Sequence, residues 1–107
     1  MLWIDNSLEK LGQAIQVWKT ATGPWDVRLG SALTWVTRIL SAKDLPEEFR
    51  PRFTELIEAA TRVKEERHGA IRATVNHMDE GEANRLMSSV ERLYKLFLNA
   101  KRVSRSF

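Results

Sequence analysis

An all-α fold, a four-helix up-and-down bundle making a single domain over residues 1–107, is what this sequence predicts. Three observations lead there. Four stretches carry apolar residues at spacings of three and four, the repeat of a helix buried along one side. The breaks between them are short, which sets consecutive helices antiparallel. No period-two alternation of useful length competes with that pattern.

In the first stretch Leu8, Leu11, Ile15 and Trp18 share one face, and Asn6 with Glu9 has the spacing of a capping box. The segment TGPW ends it, with Gly23 suited to a helix C-terminus and Pro24 to the first position of the next helix. The second stretch, WDVRLGSALTWVTRILSAK, is the most apolar. Leu29, Leu33, Val36 and Leu40 form one stripe, and Trp25, Ala32, Trp35 and Ile39 form another beside it. A helix so widely apolar must be covered on more than one side. The third opens with Asp44 as cap and Pro46 and Glu47 in a first turn, then runs as a helix from about Pro51. Its inward face is Phe53, Leu56, Ile57, Ala60 and Val63, and the spacings Glu58–Arg62 and Arg62–Glu66 suit ion pairs on the solvent side. Residues 68–77 read two ways. Ile71, Val75 and Met78 keep helical spacing, so the helix can run on through Gly69, or Gly69 can stop it. The last helix has the clearest start: Asp79 as N-cap, Glu82 three residues on, and Met78 before the cap. Ala83, Leu86, Met87, Val90, Leu93, Tyr94, Phe97 and Leu98 follow at core spacing, and the helix is expected to end near Lys101, leaving a basic tail over about 101–107.

Composition narrows the functional classes. An apolar share of 43% against 29% charged residues is a globular balance. The absence of cysteine excludes a disulfide framework, thiolate zinc sites and a cysteine nucleophile. The start MLWIDNSLEK has neither the basic opening nor the apolar run of a signal peptide, and no stretch reaches the roughly 20 apolar residues of a membrane span. A cytoplasmic chain with no membrane partner is therefore expected. The net charge of +3 is unevenly spread. Residues 44–82 hold six basic and ten acidic groups, while residues 83–107 hold six basic groups and one acid. That basic end can attract phosphates, which makes nucleic-acid binding one alternative. Bases in a last helical turn are also what the helix dipole favours. Arg85, Arg92, Lys95, Lys101 and Arg102 oppose the last core stripe, but core burial accounts for that stripe without a lipid surface.

Both histidines fall in the segment VKEERHGAIRATVNHMDEGEAN, residues 63–84. Glu65 and His68 form a Glu-x-x-His pair of the kind that di-iron four-helix bundles use twice, together with two further glutamates. Here it occurs once, so neither a metal nor a cofactor is expected. Arg62 precedes His68, and Arg72 precedes His77, at short spacing. At these residues the sequence resembles the HEPN family, marked by an Arg, four to six residues, then a His near the last helix. The resemblance implies a dimeric domain of four or five helices and a metal-independent RNase of toxin–antitoxin or antiphage systems, with Arg72 and His77, or in a second placement Arg62 and His68, as catalytic residues. The chemistry is coherent: His can move a proton near neutral pH, and Arg can stabilise charge growing on a phosphate. The residue after the Arg, usually polar in that family, is Val63 or Ala73 here. No phosphate loop, dinucleotide turn, Gly-x-Ser-x-Gly or His-Glu-x-x-His is present.

The leading expectation is a small cytosolic, non-enzymatic interaction or regulatory module that forms a homodimer, with a further protein partner as a variant of the same reading. Trp25, Ala32, Trp35 and Ile39 are its expected interface, since together they widen the second helix beyond one core stripe and Trp is favoured at interface centres.

Overall fold

A computed structural model describes residues 3–39, 45–63 and 69–105. Leu40, Asp44, Glu65, Glu66 and His68, each singled out above, lie outside the described residues. The fold is all-helical, and among the described residues there is no strand. Five helices occur in the order α1 (Trp3–Thr20), α2 (Trp25–Val36), α3 (Arg50–Ala60), α4 (Ala70–Asn76) and α5 (Glu80–Arg105). The fifth helix beyond the expected four is α4, a seven-residue segment in the stretch that the sequence left open. Gly69 precedes it with φ +83°, a backbone value that L side chains rarely adopt.

α1 lies between α2 and α5, α4 bridges α2 and α3, and α3 returns to α5. α1 and α5 run antiparallel, because Asp5 meets Lys101 at 2.9 Å while Lys19 meets Glu91 at 3.1 Å. The core fills the space among these helices with Leu11, Leu29, Leu33, Val36, Met87, Val90 and Phe97, all essentially without solvent contact. Phe49, just ahead of α3, packs its ring edge-on to Phe97 with centroids 5.0 Å apart.

Local chemistry sets the boundaries. α1 begins at Trp3, so Asn6 lies inside the helix rather than at its cap; Ile4 is buried, and its packing holds the extra turn. Between α1 and α2, Gly23 takes φ +111° and Pro24 is the N-cap, not the first helical residue. Arg28 ties this turn from inside α2: its Nη1 donates to the Trp18 carbonyl at 2.8 Å, its Nε to the Gly23 carbonyl at 3.1 Å, and its guanidinium lies 4.8 Å from the Trp18 ring centre. The last carbonyls of α1 thus gain a charged donor where the dipole favours one. α2 ends at Val36, and Arg38 and Ile39 close back on Trp35 and Val36 with i→i−3 bonds. α3 ends at Ala60, so Val63 is not on its inward face; its N–H instead donates to the buried Thr74 hydroxyl at 3.0 Å. α5 opens as expected, with Asp79 Oδ1 accepting from the Glu82 N–H at 2.8 Å, and continues past Lys101 to Arg105.

Candidate interaction surface

α2 has an inner and an outer face. Leu29, Ala32, Leu33 and Val36 point into the core. Of the four residues expected at an interface, Ala32 is fully buried and Ile39 is 6% exposed, both within this one chain. Trp25 and Trp35 are half-buried against the edge of the core. The Trp35 ring sits at the α1–α2 seam, with Lys10 Nζ 5.4 Å and Arg38 Cζ 4.7 Å from its centre. Burial of apolar surface in α2 is therefore largely complete on that side.

The outer face is different. Val27, Gly30, Ser31 and Thr34 follow one another at helical spacing opposite the core. Val27 is 58% exposed, one of two large hydrophobic residues so open among those described. The Thr34 hydroxyl donates to the Gly30 carbonyl at 2.8 Å and the Thr37 hydroxyl to the Thr34 carbonyl at 2.9 Å. Their donors are spent on the helix's own backbone, which leaves those two hydroxyls only their acceptor lone pairs for an outside partner. With α4 it forms an open groove of about 750 Å³, whose far side carries Ile71, Arg72 and Val75. Asp26 and Arg72 both line it, and among the described residues neither has an ion-pair or hydrogen-bond partner.

Gly30 sits at mid-helix on this groove. A glycine there costs about 1 kcal/mol against Ala. A Cβ placed on it meets no heavy atom within 4 Å among the described residues, so no close approach by any of them requires the glycine. Sequence reasoning missed Val27 and Gly30. Their signal was present: Val27, Gly30 and Thr34 recur at three and four, but as an uncharged face rather than an apolar one.

The Arg and His candidates are distributed over two places. Arg72 and His77 are five residues apart, about 140° around a helix. Arg72 belongs to the α2–α4 groove, whereas His77 closes α4 with its Nδ1 2.8 Å from the Ala73 carbonyl. Arg62, from the other placement, comes to the same corner as His77. Its Nη2 is 3.0 Å from Glu82 Oε2 and 3.5 Å from the His77 carbonyl. The expected pairing of Arg62 with Glu58 would need α3 to continue past Ala60, where it stops. His68 lies outside the described residues.

Among the described residues no group of three or more His, Asp or Glu side chains could hold a metal ion, and no helix is long and apolar enough to cross a membrane. The basic end of α5 is in part neutralised, since Lys101 is bonded to Asp5. No known protein family matches the chain, and no curated protein or solved structure matches it.

Proposed function

We propose that this chain is a small helical interaction module of the cytosol that self-associates through the outer face of α2 and the α2–α4 groove. In this reading α1, α2, α3 and α5 make an up-and-down four-helix frame, and α4 is a short insert that builds one groove wall. The observation that carries it is Val27, 58% exposed on a face with no charged residue at its centre. The face lies on α2, as expected from sequence, but on the side away from Trp25, Trp35 and Ile39. Sedimentation velocity over a range of concentrations tests it. The wild type should shift from monomer to dimer by high micromolar concentration, and Val27→Glu should remain monomeric with unchanged helicity. A wild type that stays monomeric throughout would overturn the reading.

A second reading, an RNase of the kind the Arg…His resemblance implies, draws on one observation at the α4–α5 corner. When His77 Nδ1 carries the proton and donates to the Ala73 carbonyl, Nε2 is left as the basic nitrogen on an exposed ring. Arg62 is at hand for a phosphate, once that phosphate displaces the Glu82 carboxylate. Incubation with end-labelled RNA should then give cleavage that His77→Ala abolishes. Intact RNA, or cleavage indifferent to His77, would end this reading.

A further inference from the structure

The self-association proposed above leaves open how two copies meet, and the groove's own chemistry speaks to that. It carries an acid, Asp26, near the start of α2 and a base, Arg72, on α4, both exposed and both without a partner among the described residues. It also carries a projecting side chain, Val27, one helical turn from a place with none, Gly30. A twofold axis through the midpoint of any two surface points lays each over the other in the second copy. Opposite charges and a knob beside a hole are therefore self-complementary under one such axis when the midpoints of both pairs lie on it, as an isologous contact requires. A foreign partner of one charge sign would satisfy only one of the two ends.

We infer, resting on that reading, that two copies pack across a twofold axis through the α2–α4 groove, with Asp26 of each copy against the partner's Arg72 and Val27 of each over the partner's Gly30. The missing Cβ then has a use: it lets the second α2 come close where none of the described residues of its own chain does. The contact is small. α2, at 12 residues, is about 18 Å long, and a patch built on it and α4 falls in the class below about 1,200 Å² that gives weak, transient complexes. A micromolar, salt-sensitive dimer follows, because the paired charges lie at the rim where they are screened.

Charge exchange tests this. Asp26→Arg and Arg72→Asp sit at exposed positions, so circular dichroism should show both folded. Each alone places like charges together twice per dimer and should weaken dimerisation roughly five- to tenfold in sedimentation at low salt. The double variant Asp26→Arg/Arg72→Asp restores opposite pairing and should return to within about twofold of wild type. A dimer that Val27→Glu breaks but neither reversal weakens would overturn the pairing and leave the self-association standing. Single reversals that weaken the dimer without rescue in the double variant would overturn it too. A wild type monomeric at every concentration would remove the reading beneath it.

Discussion

α5 and α2 solve the same problem differently. α5 is 26 residues long and buries Ala83, Leu86, Met87, Val90, Leu93 and Phe97 along one side. Its exposed side carries Arg85, Arg92, Lys95 and Arg102, side chains whose hydration holds that face in water. It starts on a bonded cap, Asp79. α2 is less than half as long, starts on Pro24 with no side-chain cap, and buries Leu29, Ala32, Leu33 and Val36. Opposite them stand Val27, Gly30, Ser31 and Thr34, with no charge among them. A buried stripe identifies the inside of a helix; only the chemistry of the opposite face says whether water is its intended neighbour. By that measure the two outer faces differ: that of α5 is dominated by charge although it also exposes Val103, while that of α2 exposes Val27 with no charge at its centre.

The largest effects should be shared by the two helices, since their inner faces meet in one core. Phe97 and Leu33 are both fully buried there. Phe97→Ala should cost about 3–5 kcal/mol and Leu33→Ala about 2–5 kcal/mol, through lost transfer energy and the cavity each leaves. For a chain of this size either loss should lower the melting temperature by more than about 10 °C in a calorimetric or circular-dichroism melt. A Leu33→Ala loss well under 1 kcal/mol beside a large Phe97→Ala loss would break the comparison: the inner face of α2 would not be core in the sense that α5's is.

How much of this was legible follows from which forces are local. The Asp79 cap, the Gly23–Pro24 break and the core stripe of α5 depend on residues within a few positions of one another, and the sequence displays them. The start of α1 at Trp3 depends on Ile4 being buried within the fold and on Asp5 reaching Lys101, a residue 96 positions away. No capping signal can report that. The separation of α3 from α4 takes neither route the sequence offered: α3 already stops at Ala60, and Gly69, at φ +83°, stands as the N-cap of α4 rather than as the end of α3. In a helix that runs on through Leu40, Trp35 and Ile39 are surplus apolar surface. Once it ends at Val36, Ile39 folds back into the core and Trp35 leans on the α1–α2 seam between Lys10 and Arg38. The candidate surface was harder to read for a different reason. Small and hydroxyl residues raise no apolar signal, and only the folded helix shows that the Thr34 and Thr37 hydroxyls donate to their own backbone.

The smallest expected effect separates most sharply a surface packed against α5 from the outer face of α2, because it concerns two glycines. Gly12 in α1 faces α5, and a Cβ there would stand 3.7 Å from Tyr94 Cε2, an ordinary van der Waals contact. Gly30 in α2 faces the groove, and a Cβ there would meet nothing within 4 Å among the described residues. In one copy of the chain, Gly30→Ala should therefore raise stability by up to about 1 kcal/mol, a gain in helix propensity with no steric cost. Gly12→Ala should also be tolerated, its added methyl filling space beside Tyr94. Association distinguishes them. Gly12 is turned toward the fold's own α5, so its replacement should leave the dimer constant unchanged. At Gly30 the new methyl would occupy the place given above to a second copy, so the dimer should weaken even as the monomer melts a few degrees higher. Stability and affinity moving in opposite directions is a result that general loosening of the fold cannot produce. A higher melting temperature with an unchanged dimer constant in Gly30→Ala would show that the outer face of α2 faces water after all.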